Sequence, residues 1–224
     1  MAILNEAQHT IVSDAVAKAE LSTSGEIVPV LADSSDTYSE VVLAYCAALS
    51  FTAMSVFAAF PTPFMESWDA LLGGWGHEWT IGEASTLLLA IGVLAFILAW
   101  ALLRIPALLF ALIPGPLKSA RVRNAAIRHF KVGAEQRTHG RTGVMLYLSM
   151  REHRAEIIAD TAIAELVPAE VWGEAMADML VEIRKDCIAE GIAAGVRDVG
   201  KVLSEHFPRT EHDQNELPDR LIEL

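Results

Sequence analysis

The chain has 224 residues, 53% of them hydrophobic and 21% charged, with a mean hydropathy of +0.35. That is too apolar for a disordered segment and for an ordinary soluble domain. Lys and Arg number 17 against 29 Asp and Glu, a formal charge of −12, which repels phosphate backbones and sets nucleic acid aside as a partner. The two cysteines, Cys46 and Cys187, stand far apart, excluding a disulfide framework and the paired spacing of a structural zinc site.

The opening MAILNEAQHTIVSDAVAKAE has no basic leader before an apolar core and does not read as a signal peptide. Asn5 and Gln8 have capping-box spacing, and Ile11, Val12, Ala15, Val16 and Ala19 follow at helical intervals. The polar turn STSG ends at Gly25 and opens GEIVPVLA, apolar on both faces as a covered strand is. Pro29, with no amide proton to donate, places that strand towards a sheet edge or a bulge.

The apolar excess is concentrated in residues 41–60 and 84–103, neither of which holds a charged side chain. Twenty residues rise about 30 Å as a helix, the thickness of a bilayer core, so transmembrane helices are predicted at 41–60 and 84–104. The connector 61–83 has no Lys or Arg but carries Glu66, Asp69, Glu78 and Glu83. Its Trp68, Trp75 and Trp79, with Gly73, Gly74 and Gly76, suit a short loop at headgroup level. The stretch 105–117 is apolar but short, with Pro106, Pro114 and Pro116, and reads as interfacial. Lys118, Arg121, Arg123, Arg128 and Lys131 come next, with no acid until Glu135. Because Lys and Arg stay cytoplasmic, both termini are expected inside and the connector outside, as in a bacterial inner-membrane protein.

Beyond the hairpin, Val122, Ala126, Phe130 and Ala134 mark a helix with a basic opposite face. Thr142–Ser149 reads as a strand, and Arg151-Glu152-His153-Arg154 turns the chain into a second, Ala155–Ala159, ending at Asp160. Pro168 starts a helix with Val171, Trp172, Ala175, Met176, Met179, Leu180 and Ile183 on one face. Another helix carries Ile188, Ile192, Val196, Val199, Val202 and Leu203, with Gly191 and Gly195 allowing close packing. Residues 209–224 form a short polar tail. This order predicts an α/β sandwich with at least three strands, split into residues 1–40 and 118–208. One sheet can form from both pieces only if an even number of spans returns the chain to the same side.

These flanks resemble the TPM domain family. The matching stretches are Ser22-Thr23-Ser24-Gly25-Glu26-Ile27-Val28, Arg141-Thr142-Gly143-Val144-Met145-Leu146-Tyr147-Leu148-Ser149, Glu152, Ala155 to Asp160, Trp172 and His206-Phe207-Pro208. The resemblance implies a three-layer α/β/α sandwich with a small mixed sheet. It also implies a role: plant members are auxiliary factors for a photosynthetic membrane complex, credited with acid phosphatase activity and divalent-metal binding, and animal members are accessory proteins of a membrane receptor. Exported members have a signal peptide and an uninterrupted domain; this chain departs from both, which sets it apart from lumenal or periplasmic roles.

No P-loop, G-x-S-x-G or H-E-x-x-H occurs, and the seven histidines are scattered. Asp33 and Asp36 after the first strand, and Asp160 after the third, are the acidic candidates for Ca²⁺ or Mg²⁺. If the first strand runs parallel to the third, Asp33 and Asp160 share a sheet edge; if parallel to the second, Asp33 faces Glu152 and His153. Their alternative roles are turn formation and helix capping. Glu26 is a candidate partner for Arg141 or part of a site, Trp172 a core residue, and Gly143 a point of close backbone approach. Lys118, Arg121, Arg123 and Arg128 are placed against anionic lipid headgroups. The expectation is an anchored accessory module engaging another membrane protein; the alternative is a metal-dependent phosphatase. A transport role is disfavoured, because neither span holds the ionisable residues that mark most ion paths.

Overall fold

The computed structural model describes residues 3–72, 78–133, 142–209 and 218–224. Arg141, Ala134, Glu135, Trp75 and Gly73, Gly74 and Gly76 lie outside them. The chain divides into two compact units, Met1–Asp36 with Pro114–Leu224, and Thr37–Ile113.

The first unit is an α/β/α sandwich. Helix α1 (Glu6–Glu20) starts from a full capping box, in which the Asn5 side chain accepts from Gln8 N and the Gln8 side chain accepts from Asn5 N. Strand β1 (Glu26–Ala32) follows, buried along its whole length. After the second unit come the helix later numbered α6 (Gly115–Gly133), strands β2 (Gly143–Ser149) and β3 (Arg154–Ala159), helices α7 (Thr161–Ala164), α8 (Ala169–Ile183) and α9 (Ile188–His206), and strand β4 (Ile222–Glu223). The sheet order is β3-β2-β1-β4, with β1 parallel to β2 and β4 and β2 antiparallel to β3.

On one face Ile27, Leu31, Val144, Leu146 and Leu148 pack with Val12 and Val16 of α1, Trp172 and Met179 of α8, and Ile192, Val196 and Val199 of α9. On the other, Val28, Val30, Met145 and Tyr147 meet Val122, Ala126 and Phe130 of α6. Alternation along buried strands delivers every second side chain to each layer. Gly25 fits its turn against α9, since a Cβ there would sit 2.9 Å from Leu203 Cδ1.

In this unit two expectations need correction. The tail is not merely polar: Leu221 is buried, and Ile222–Glu223 form the fourth strand, beside Val30 and Leu31. Glu223 ties it down by accepting from the amides of Ile3 and Leu4. Pro29 does not mark an edge strand, because β1 has a neighbour on each side. Leu31 of β1 and Asp33 just after it bond towards the β4 side, Leu31 O accepting from Leu224 N and Asp33 N donating to Leu224 O, and Ile27 N on the same side donates to Glu20. Pro29 belongs to this alternating set, so its missing donor leaves the β2 ladder intact.

The second unit is a helical hairpin: α2 (Ser39–Ala59), α3 (Pro61–Leu72), α4 (Ile81–Leu103) and α5 (Pro106–Leu112). Cys46 packs with Ala99 and Leu103, and Ser50 Oγ donates to Gly92 O at 2.8 Å. A Cβ on Gly92 would lie 2.6 Å from Met54 Sδ, so α2 and α4 touch through small residues as membrane helices commonly do. Thr80 and Glu83 form a capping box at the start of α4, and Arg104 lies over the Trp100 ring, 4.5 Å from its centroid. The two long helices have mean hydropathies of 2.0 and 2.7, yet only 11% and 22% of their most apolar windows are buried. A soluble core helix would hide that surface.

The connector is not only a loop. Helix α3 exposes Phe64, Trp68 and Leu71 at spacings that share one face, while Phe57 meets Phe64 edge-on at 5.7 Å and Trp79 Nε1 donates to Asp69. The stretch expected to be interfacial, 105–117, is not one element: α5 ends at Leu112 and α6 begins at Gly115, where Pro116 is tolerated in a first turn whose amides lack partners.

Candidate functional site

The parallel pairing of β1 with β2 decides where the candidate acids stand. Ala32 pairs with Ser149, and Val144 with Ala159. Asp33 and Asp36 therefore leave the sheet beside Glu152, while Asp160 lies at the opposite end. The three do not form one group, and no cluster of three or more potential metal ligands occurs among the described residues.

Each acid has an observed partner. Asp33 takes a two-pronged contact from Arg151, Nε to Oδ1 at 3.0 Å and NH2 to Oδ2 at 2.8 Å. Asp36 pairs with Arg121 at 3.2 Å. Asp160 is buried and its Oδ2 accepts from Gly143 N at 3.1 Å, while its own amide donates to Gly143 O. It stands at the N-cap position of α7 without a side-chain capping bond. Its carboxylate thus fastens the β2–β3 ends.

Between Asp33 and Asp36 lies a connected set of hydroxyls. Ser35 Oγ donates to Ser149 Oγ at 2.8 Å, and Ser149 Oγ to Glu152 Oε2 at 2.6 Å. The other oxygen, Glu152 Oε1, accepts from Ser35 N at 2.9 Å. Tyr147 OH lies 3.1 Å from Ser35 Oγ, and His129 stacks on the Tyr147 ring. Burial pushes the Tyr147 hydroxyl up and the His129 imidazole down, so both are held neutral. Ser149 and Glu152 are buried, while Ser35 is half-buried. The chemical capacity is a hydroxyl relay from Ser35 inward to a carboxylate. Sequence reasoning named Glu152 but missed Ser35 and Ser149, which look like turn and strand residues until the register aligns them.

The other matched residues gather at the opposite edge. Thr23 Oγ1 donates to Phe207 O at 2.7 Å and accepts from Gly25 N, Thr23 bridges Pro208, and Thr142 Oγ1 donates to Ser24 O. The STSG turn and the closing His-Phe-Pro thus clasp one another across the chain. Trp172 is core, 9% exposed. Glu26 is buried and its amide donates to Thr142 O; its expected partner Arg141 is outside the described residues.

An acidic cleft of about 300 Å³ opens there between Asp14, Lys18, Glu20, Glu26, Arg209 and Asp219. Burial pushes the Glu20 carboxyl up to about 8, against the Ile27 amide that lowers it, and Glu26 and Asp219 add repulsion. Nothing in the local sequence announces this, since those acids meet only in the fold.

On α6, Arg121 and Arg123 are engaged with Asp36 and Glu156, Lys118 is half-buried and Arg128 exposed.

Within residues 117–202, from α6 into α9, the chain matches the family model described as the TPM domain. The match leaves out β1 and the hairpin. Among solved structures, the NMR structure of the BA42 protein from the psychrophilic bacterium Bizionia argentinensis is similar, with a TM-score of 0.57 and 15% identity, over 100% of this chain and 97% of that one. At that identity the likeness speaks for the fold alone. No curated protein matches this chain.

Proposed function

We propose that this TPM-domain chain is a membrane-anchored accessory or maintenance factor for another membrane protein. The observation that carries the reading is the hairpin: two helices of 21 and 23 residues turn most of their apolar surface outward, including Phe51, Leu89, Leu94 and Leu98. Lipid is the solvent that fits such a surface. Trp68 and Leu71 of α3 suit the outer headgroup layer. Lys118 and Arg128, with Lys131, suit anionic lipid on the inner side, with both termini cytoplasmic. The candidate acids sit in arginine pairs and amide bonds, which supports binding and scaffolding over catalysis.

Fractionation tests the anchor: the chain should pellet with membranes through high-salt and carbonate washes, and a freely dissolved chain overturns it. Thiol labelling of Thr62→Cys and Lys118→Cys, in a background without Cys46 and Cys187, should mark opposite sides. Purification in mild detergent should recover a membrane partner, and a chain that is solitary at native expression removes the accessory role.

One observation favours a hydrolase as second reading, the relay from Ser35 through Ser149 to Glu152. It predicts phosphate release from a generic ester that is lost in Ser35→Ala. The metal form of that reading, with Ca²⁺ or Mg²⁺ on Asp33, Asp36 and Asp160, additionally predicts loss with chelator and in Asp160→Asn; the distance between the two sheet ends weighs against it.

A further inference from the structure

The two sides of the sheet are finished differently. Beyond β1 the chain supplies its own β4 as a closing strand; beyond β3 the described residues supply none. Antiparallel pairing alternates which residues bond to the neighbour. Asp160 N donates to Gly143 O, so Ile158, Glu156 and Arg154 also bond towards β2. Ala155, Ile157 and Ala159 turn their main-chain groups outward. Over that stretch, about 13 Å long at strand spacing, β3 has no proline, bulge or lysine of the kind that protects edges. Its one acid, Glu156, is drawn to α6 by Arg123 at 3.3 Å.

This edge is also the floor of a cleft of about 440 Å³. One wall is α6, with Arg123 and Ile127; the other is Val167 with Trp172 and Met176 of α8. Both walls are largely apolar, and the side chain of Arg123 remains 63% exposed at the mouth. Helices on both sides make a recess that suits a single extended segment rather than a second sheet with its own helical layers.

We propose that the outer edge of β3 takes up an extended peptide segment of the partner protein as an added strand, with apolar side chains towards Ile127 and Trp172 and an acidic side chain at Arg123. The main-chain bonds supply affinity and the walls supply selection, as in other strand-addition complexes. The proposal rests on the accessory reading for who brings the strand, but not for whether the edge binds one.

The test uses the purified full chain in detergent micelles and a short fluorescent peptide of alternating valine and threonine carrying one glutamate. Saturable binding is expected, together with slowed amide exchange at Ala155, Ile157 and Ala159. Methylating alternate peptide nitrogens, or exchanging the glutamate for lysine, should weaken binding by about tenfold or more. Ala155→Pro should abolish it; because proline also strains the β2–β3 pairing, Ile127→Lys on the wall serves as a second variant with unchanged circular dichroism. Any of the following overturns the proposal: the three amides already protected in the free chain, no peptide binding, equal binding of the methylated peptide, or a dimer closed through the same edges. Peptide binding without any co-purifying membrane partner would leave the edge standing and remove the accessory reading instead.

Discussion

The α/β unit and the hairpin unit are built from similar aliphatic residues and dispose of them in opposite ways. In the first, Leu31, Val196 and Leu203 are fully enclosed by three layers; in the second, Leu94 is 65% exposed and Phe51 69%. Under the proposed anchor, the same side chains serve two solvents. One unit removes apolar surface from water by packing protein on protein. The other keeps α2 and α4 together through Gly92, Ser50 and Cys46 and leaves an apolar outward face, the face that the proposed anchor turns to lipid.

The sharpest way to break this contrast is to remove one side of it. Replacing residues 37–113 by a flexible linker should give a folded α/β unit that leaves the membrane pellet, because both sheet-facing cores are made entirely by the remaining segments. A product that aggregates or lacks cooperative unfolding would show that the hairpin is part of the fold. The next effect is Leu31→Ala, expected to cost about 2–5 kcal/mol in denaturant unfolding. Leu94→Ala should stay within about 0.5 kcal/mol in micelles. Similar losses at both positions would mean that the hairpin is a packed core.

Within the α/β unit, Glu152→Ala should cost about 2–3 kcal/mol, since it strands the Ser35 amide and the Ser149 hydroxyl. Glu20→Gln goes the other way. The Glu20 carboxyl is protonated in the fold up to about 8 but ionises near 4.5 when unfolded. The folded state therefore binds more protons between those values, and stability falls as pH rises through that window. The amide keeps an acceptor for Ile27 and never charges. It should flatten that decline and stabilise by about 1–2 kcal/mol at pH 8, screened by the partial exposure of the group; an unchanged pH profile would place Glu20 in water. The smallest effect belongs to Arg151→Ala, where an exposed ion pair with Asp33 should be worth less than about 1 kcal/mol, read as a small shift in melting midpoint.

Local signals were legible where a short stretch decides its own structure. Asn5 and Gln8 cap α1 because the bonds run between residues three apart. The two long apolar helices stand out because each coincides with a charge-free run of helical length. The fold class followed from alternating elements, and the matched TPM motifs lie mostly in the region that the family model covers. The site was less legible. Asp33, Asp36 and Asp160 attract attention as acids near strand ends, yet which ends meet depends on strand direction. Ser35 carries no motif and Ser149 is only the last residue of a matched strand; the β1–β2 register brings them to Glu152.

By itself the sequence determined composition-level facts: two apolar helices, a domain in two pieces, and helices and strands with their buried faces. Those depend on periodicity and on the transfer of side chains out of water, which act over a few turns of chain. The tertiary structure alone decided the order β3-β2-β1-β4, the use of the polar tail as a strand, the meeting of Glu20 with Glu26 and Asp219, and an edge of β3 that no strand among the described residues covers. Such features come from pairing between segments far apart in the chain, and main-chain hydrogen bonds are the same for every residue that can donate one. The sequence therefore carries little local trace of which strands will pair.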